Sequence, residues 1–337
     1  MEQLKLIKLK PKAPFHLGER GIGLEETSEI VHSDTIFGAL CWCWTLLTGR
    51  SAYEFVEPFL EDRPPFLLSS AFPYVNDLLL VPRPLVELAV QGDREFRRRA
   101  QNTDFISMRL LEHLGRGSVS QDDVTLCFEE RLMVLSSEKS SLLDSQRPWT
   151  IIQVPRVALD RRTSASEIYH MGRLTFAQGC GLYLLVRVLD PHSELTRVLP
   201  ALFRLLGDEG LGGERSCGYG FFEPEEHEIT LNIQTSPDRK LLLSLYNPKD
   251  QDELSQLDLS QSAYHLVRRR SWVFSPQAKN LQTRAVTYFI EGSVLRSRSS
   301  LRTPGRLIEV LSPDEGAPHS VYRYGFGFWI EWPGGLV

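Results

Sequence analysis

Apolar residues recur along the chain with two spacings, and each spacing predicts one type of element. Helical spacing over residues 36–47 predicts a helix with Ser33 and Asp34 as its N-terminal cap and Gly49 as its C-terminal cap. A second helix is predicted over residues 193–206. Short apolar runs bounded by turn residues predict strands over residues 5–10, 66–68, 78–81, 150–157, 169–176, 181–188 and 221–231. In the first strand the apolar phase slips between Leu6 and Ile7, which predicts a bulge or burial on both faces.

The order strand, helix, strands, helix, strand is the βαββαβ order of a ferredoxin-like (RRM-type) unit with an insertion. Within it, residues 85–115 are predicted to be mostly helical, and residues 150–176 to form a projecting β-hairpin around a basic turn. A polar stretch at residues 235–239 precedes a second set of elements. The sequence therefore predicts an α+β protein with a ferredoxin-like domain over residues 1–235, which carries the insertion, and a second, smaller α+β domain over residues 236–337.

Composition narrows the class of protein. Of 337 residues, 42% are hydrophobic and 24% charged, as in a soluble globular protein. No apolar run reaches the roughly 20 residues that span a bilayer, and the first ten residues lack the features of a signal peptide. We therefore expect a cytoplasmic protein without a membrane partner.

Net charge restricts how the chain can bind nucleic acid. The formal charge is −5, which argues against bulk attraction to a polyanion. Any such contact must use local basic clusters, and these are residues 97–99, 161–162, 268–270 and 296–306.

The five cysteines are scattered and odd in number, and none forms a CxxC pair. They indicate neither a disulfide framework nor a zinc ribbon, and we expect buried thiols. Motifs of metalloproteases and serine hydrolases are also missing from the sequence, so no metal or other cofactor is expected.

Six glycines occur within residues 207–220, between a predicted helix and the following strand. Walker A and dinucleotide-binding loops have the opposite order, with a strand before and a helix after, so a mononucleotide pocket is disfavoured. Glycine allows positive φ angles and close approach of a phosphate to backbone N–H groups. Arg215 and Ser216 would add contacts to a nucleic acid backbone. A plain flexible turn is the alternative.

The helix-loop-strand placement of residues 212–220 resembles the glycine-rich loop of the RAMP superfamily of CRISPR-associated RNA-binding proteins. Four segments narrow this resemblance to the family of subunit four in type III-A (Csm) effector complexes, and they are residues 15–19, 32–40, 181–186 and 322–328. Together they span nearly the whole chain. The loop departs from such a pattern because Glu214 and Cys217 stand beside its single Arg215.

The resemblance implies a non-catalytic subunit with two RRM-like domains. Such a subunit holds the 5′ repeat-derived tag of CRISPR RNA, docks on the large polymerase-like subunit, and lies beside the adjacent backbone RAMP subunit that cleaves target RNA. The residues implied to contact RNA are His16, Arg20, His32, Ser33, Asp34, Thr35, Arg156, Arg161, Arg162, Thr163, Gly212, Gly213, Arg215, Ser216, Gly218, Tyr219 and Gly220.

Two other functions remain open on the sequence. His16 and His32 could act as general acid or base in a metal-independent endoribonuclease that processes CRISPR repeat RNA. Asp34 could be a catalytic aspartate, although the helix cap explains it better. A two-domain ferredoxin-like protein without an RNA role is the third hypothesis.

The aromatic run at residues 322–332 fits either base stacking or a buried edge.

Overall fold

The structure is a computed structural model that describes residues 2–18, 25–142, 146–159, 166–233, 238–273, 281–298, 303–315 and 317–332. Its helices are α1 (Ser33–Thr48), α2 (Ala52–Leu60), α3 (Arg94–Gln101), α4 (Met108–Leu114), α5 (Glu194–Glu209) and α6 (Gln251–Ser255). Short 3-10 turns occur at Gln121–Asp123, Ser136–Ser141, Arg215–Cys217, Leu259–Gln261 and Pro313–Glu315.

Strands make up most of the remaining regular structure. Those before α5 are β1 (Glu2–Pro11), β2 (Phe66–Leu68), β3 (Phe72–Val75), β4 (Leu78–Pro82), β5 (Val90–Gln91), β6 (Phe105–Ser107), β7 (Val119–Ser120), β8 (Val124–Cys127), β9 (Leu132–Leu135), β10 (Trp149–Leu159), β11 (Ser166–Phe176) and β12 (Cys180–Val188). Those after α5 are β13 (Phe222–Leu231), β14 (Arg239–Leu242), β15 (Leu266–Arg269), β16 (Val286–Phe289), β17 (Val294–Arg296), β18 (Leu307–Leu311), β19 (Val321–Tyr324) and β20 (Trp329–Glu331).

The largest sheet has the order β13-β1-β12-β3-β4-β6-β9-β8, and β2 also pairs with β12. The elements β1, α1, β3, β12, α5 and β13 have the βαββαβ order that the sequence predicts, although β3 (Phe72–Val75) is not among the predicted strands. The segment between β3 and β12 is the insertion. That the whole chain contains two ferredoxin-like domains stays a prediction.

Strand β1 lies between β12 and β13, antiparallel to both. Its register with β13 runs from Glu2↔Leu231 to Pro11↔Phe222 without a shift, so the slip in its apolar pattern is not a bulge. Leu6 and Ile7 point to opposite faces of the strand, and both are buried. The strand is therefore covered on both faces.

Helix α1 ends as its sequence predicts. Gly49 adopts a left-handed conformation with φ 70°, and its N–H donates to the carbonyl of Thr45. By contrast, residues 85–115 are not mostly helical. Asp93 caps α3 and Ser107 caps α4, and strand β6 between these helices pairs with β4 and β9. The apolar residues of β6 are buried in the sheet, and apolar spacing alone does not identify this short segment as a strand.

Strands β10 and β11 pair continuously from Trp149↔Phe176 to Leu159↔Ser166, in a sheet of their own. The base of this ladder packs on the body, since Trp149 is buried and its ring contacts that of Phe105. The ring of Phe176 lies edge-on to that of Phe15. The outer part of β10 and β11 is exposed, with Ile168 68% accessible.

The C-terminal part of the chain forms the sheet β17-β14-β20 and the pairs β15–β16 and β18–β19. Its aromatic segment is buried, since Tyr324, Phe326 and Phe328 are inaccessible to solvent. This outcome fits the buried edge rather than base stacking. These rings belong to the same hydrophobic core as Phe37 and Phe59 of the helices α1 and α2. The division at residue 235 stays a prediction, because the core crosses it.

The expectation that the cysteines are buried holds for only some of them. Cys43 and Cys180 are buried and Cys41 and Cys127 are half-buried, but Cys217 is exposed on the glycine loop. Burial raises the pKa of Cys43 to about 12 and that of Cys180 to about 11, so these two thiols stay protonated at neutral pH.

Within the described ranges no helix is long and apolar enough to cross a membrane.

Candidate functional site

The glycine loop between α5 and β13 lies directly against the segment that follows β1. Gly212 has φ 97°, and a Cβ there would come within 2.5 Å of the carbonyl oxygen of His16. The N–H of Gly213 donates to that same oxygen at 2.9 Å, and the N–H of Gly220 donates to the carbonyl of Pro14 at 2.8 Å. The expectation that glycine N–H groups bind phosphate is therefore wrong for Gly213 and Gly220, because both already have backbone partners.

His16 joins this loop to strand β11. Its side chain is buried, with Nδ1 2.8 Å from the carbonyl oxygen of Gly172. A Cβ on Gly213 would lie 2.8 Å from the ring carbon Cδ2 of His16, so the loop touches the ring edge. This packing accounts for a histidine here without any catalytic role.

The loop also meets the β10–β11 ladder. The guanidinium carbon of Arg156 lies 5.5 Å from the ring centroid of Tyr219, at the end of the loop. A hydrogen bond with the side chain of Tyr219 raises the pKa of Arg156. Arg156 and Tyr169 are register partners, and Arg173 lies on the same face of the ladder, opposite Ile152. The sequence-implied Arg156 and Tyr219 are therefore brought together.

Arg173 adds an unmatched donor to this face. Its side chain is half-buried, and its Nε has no hydrogen-bond partner among the residues that the structure describes. An unpaired buried donor costs free energy, about 1–3 kcal/mol, unless a ligand or water accepts a hydrogen bond from it. Ser216 lies exposed on the neighbouring loop. We term Arg156, Tyr169, Arg173, Ser216 and Tyr219 the loop–hairpin surface.

Arg215 differs in surroundings from Ser216. It is half-buried near Glu209, at the end of α5, and near Cys43 of α1. Burial lowers the pKa of Arg215, while the charge of Glu209 acts in the opposite direction. Gly218 is exposed, whereas Gly212 is half-buried.

The start of α1 forms a buried polar cluster rather than an open site. Asp34 makes no cap, since the N-cap residue is His32 and no side chain caps the helix there. Its Oδ2 accepts hydrogen bonds from Arg269 at 3.0 Å and from Arg323 at 2.7 Å, and all three side chains are buried. Burial alone would raise the pKa of Asp34, but the two arginines outweigh it and hold the pKa at about 2. The predicted cap is thus replaced by an ion-pair cluster with the C-terminal part of the chain.

The neighbours of Asp34 also face inward. His32 Nδ1 lies 2.9 Å from Oε1 of Glu291, which also accepts a hydrogen bond from Ser70. Burial would raise the pKa of Glu291, yet His32 and Ser70 keep it below its usual value. The Ser33 hydroxyl accepts a hydrogen bond from the N–H of Leu245 at 3.2 Å. Thr35 is half-buried, and its hydroxyl lies 3.4 Å from a guanidinium nitrogen of Arg269.

The sequence-implied residues therefore separate into two groups. Arg156 and Tyr219 meet at the loop–hairpin surface, with Ser216 exposed on the same loop, whereas Ser33 and Asp34 belong to the buried cluster. Arg20, Arg161, Arg162 and Thr163 lie outside the described residues. Sequence reasoning missed Tyr169 and Arg173, although strand alternation from Arg156 across a hairpin register would have placed them on the same face.

Comparison with known proteins gives a consistent result. A family model described as the CRISPR Csm4 C-terminal domain matches residues 235–332. The CRISPR system protein Csm4 of Thermococcus onnurineus is 28% identical over 349 aligned residues, covering all of both chains. That of Methanocaldococcus jannaschii is 23% identical, covering 87% of this chain and 86% of its own.

Solved structures show the same fold. A chain of the Csm3–Csm4 subcomplex from a type III-A CRISPR-Cas interference complex aligns with a TM-score of 0.67 at 18% identity, covering 97% of this chain and 99% of that one. A chain of the Csm1–Csm4 cassette in complex with AMPPNP aligns with a TM-score of 0.60 at 22% identity over 98% of each chain.

The α+β fold is shared with chains of the Csm1–Csm4 and Csm3–Csm4 structures. The chain is Csm4-like along its whole length, and its C-terminal part matches the Csm4 C-terminal domain, which confirms the resemblance seen in the sequence.

Proposed function

We propose that the chain is a non-catalytic, cytoplasmic subunit of a type III-A interference complex that holds the 5′ tag of CRISPR RNA at the loop–hairpin surface. The carrying observation is the contact of Arg156 with Tyr219 on the face of the ladder that also carries Arg173, whose Nε has no hydrogen-bond partner among the described residues. Arginines bind phosphate through charge and a fork of donors. The half-buried ring of Tyr169 could stack on a base, whereas the buried ring of Tyr219 supports the guanidinium of Arg156. Because these residues converge from β10, β11 and the glycine loop, one RNA strand could contact all three elements.

Its partners follow from its relatives. Csm4 chains occur with Csm1 in one set of solved structures and with Csm3 in another. This subunit would therefore dock on the large polymerase-like subunit and on the adjacent backbone RAMP subunit, with target RNA nearby. Two ferredoxin-like domains, 1–235 and 236–337, would provide the frame, with the β10–β11 ladder projecting from the first.

The test is binding of a labelled CRISPR RNA with its 5′ tag to the full-length chain. In the variant with Arg156→Ala and Arg173→Ala, loss of two phosphate contacts should reduce the slope of log K against log salt by about 1.4, since single strands give about 0.7 per contact. The variant with Arg197→Ala and Arg204→Ala, both at exposed positions of α5, is the matched control because it removes the same charge. Unchanged affinity and slope in the double variant would contradict a tag site at this surface.

The endoribonuclease alternative is checked on the same RNA without added metal. We expect binding without product, because His16 packs on Gly172 and His32 on Glu291. A cleavage product at the repeat that disappears in His16→Ala or His32→Ala would instead establish an enzyme.

A further inference from the structure

The hairpin of β15 and β16 has one face that the proposed tag site does not use. The strands pair from Leu266↔Phe289 to Arg269↔Val286, and a bridge between Trp272 and Gln282 extends the pairing. Residues 266–273 alternate strictly between exposed positions and positions that are half-buried or buried. This alternation places Leu266, Arg268, Arg270 and Trp272 on one face.

The opposite face explains how the hairpin is held. Arg269 points inward, where its guanidinium bonds Asp34 at the start of α1. Strand geometry thus divides the basic cluster at residues 268–270 into the buried Arg269 and the exposed Arg268 and Arg270. The Nε of Arg270 donates to the carbonyl of Thr283 at 3.2 Å, which leaves its terminal guanidinium nitrogens for a ligand. Arg268 and Arg270 stand roughly 7 Å apart along the strand, comparable with the spacing of successive phosphates in an extended single strand.

The charge of this hairpin is opposite to that of the chain. Residues 266–273 and 281–289 contain four arginines and no aspartate or glutamate, whereas the whole chain has a net charge of −5. Arg284 is set apart, because it lies 3.5 Å from Glu315. The outer face that carries Arg268 and Arg270 therefore complements an anionic partner.

An aromatic side chain completes this face. Trp272 is 53% exposed and Leu266 56% exposed, at the two ends of the arginine pair. Aromatic rings interleaved with arginines are typical of surfaces that bind single-stranded nucleic acid, where bases stack on the rings and the arginines follow the backbone. A partner protein with an acidic surface would satisfy the arginines but would not require an indole as accessible as this one.

We propose that Arg268, Arg270 and Trp272 form a second RNA-binding surface, separate from the loop–hairpin surface, which binds single-stranded RNA without sequence preference. The two arginines contact successive phosphates and Trp272 stacks on a base. The surface shares no residue with the proposed tag site, so either can fail alone.

The probe is a fluorescein-labelled 12-nucleotide oligouridine, which carries no tag, titrated with the full-length chain at several salt concentrations. In Arg268→Ala with Arg270→Ala, we expect weaker binding and a salt slope reduced by about 1.4. In Trp272→Ala, affinity should fall roughly 5- to 150-fold with the slope unchanged, because stacking carries no charge. Trp272→Phe should retain most of the binding, and unchanged urea midpoints establish that each variant is folded.

A second double variant, Arg197→Ala with Arg204→Ala on α5, removes the same charge from exposed positions elsewhere. The proposal would be overturned if this control lost as much oligouridine binding as the β15–β16 variants. It would also be overturned if the β15–β16 variants lost no binding. If the β15–β16 variants bound RNA unchanged but no longer associated with the large subunit, the β15–β16 hairpin would be a protein-docking surface. Preference for tagged over scrambled RNA should persist in the β15–β16 variants and fall in Arg156→Ala. This difference separates the β15–β16 surface from the proposed tag site.

Discussion

Three charged side chains, Asp34, Arg269 and Arg323, form a buried cluster that links the start of α1 to the C-terminal part of the chain. Replacing Asp34 by Asn should lower the free energy of unfolding by about 3–5 kcal/mol at neutral pH, because two buried guanidinium groups lose their counter-charge. Urea unfolding measures this loss. Asp77→Asn is the control, since Asp77 is fully exposed 3.9 Å from Lys8 and should change stability by less than about 1 kcal/mol.

The same residue predicts a pH dependence. The pKa of Asp34 lies at about 2 in the folded chain, below its ordinary 3.8. A lowered folded pKa stabilises the protein above the unfolded value, and this stabilisation is lost as pH falls through the folded value. The stability gap between the chain and Asp34→Asn should therefore be constant from about pH 5 to 7 and narrow by about 2 kcal/mol between about pH 4 and 2. A gap that stays constant over the acidic range would show that Asp34 is not held by the arginines.

Asp34 also shows what local sequence cannot reveal. A Ser-Asp pair before an apolar helical run is typical of a cap, but the actual partners lie 235 and 289 positions away. The glycine loop was found from the sequence because its spacing is local. Its contact with His16, some two hundred residues earlier, depends on the sheet order and was not foreseeable.

At the scale of elements, the β10–β11 ladder has a buried base and an exposed outer part. Replacing residues 157–168 by Asn-Gly, which favours a tight hairpin turn, should change the free energy of unfolding by less than about 1 kcal/mol, since Val157 and Ile168 are 57% and 68% exposed. Binding of tagged CRISPR RNA should nevertheless weaken, because Arg161, Arg162 and Thr163 are removed. The control is Trp149→Ala at the base, which should cost about 3–5 kcal/mol.

Full RNA affinity in the shortened chain would remove these three residues from the proposed RNA path. A large loss of stability would instead show that the outer part of the ladder packs on the body. Urea unfolding and RNA titration on the same preparation distinguish these outcomes.

The elements themselves differ in how well the sequence predicts them. The helix α1 and the strand β12 have long apolar patterns, and the structure contains both near their predicted bounds. The strands β1 and β13 also lie near their predicted bounds, although the apolar phase of β1 slips and β13 is largely polar. Residues 85–115 mix two short helices with two strands, and segments of only two to eight residues carry too few apolar positions to separate the two periods.

At the scale of the whole molecule, the core crosses the predicted domain division at residue 235. Tyr324, from the C-terminal part, packs on Phe37 of α1, and its hydroxyl oxygen accepts a hydrogen bond from the N–H of Leu68 at 3.0 Å. The N–H of Ser70 donates to the carbonyl of Leu243 at 2.8 Å. Composition and periodicity place each of these residues in a core, but neither indicates that one core contains residues from both sides of residue 235.

A shared core predicts one cooperative unfolding transition. Tyr324→Phe leaves the buried N–H of Leu68 unpaired, so it should lower the free energy of unfolding by about 1–3 kcal/mol. The shift should be equal by far-UV circular dichroism and by tryptophan fluorescence, because the six tryptophans are divided equally between the two sides of residue 235. Tyr53→Phe, at a 53% exposed position, should leave the midpoint unchanged. Two separate transitions, of which Tyr324→Phe moves only one, would mean that the parts unfold independently and that the contacts around Tyr324 only dock them together.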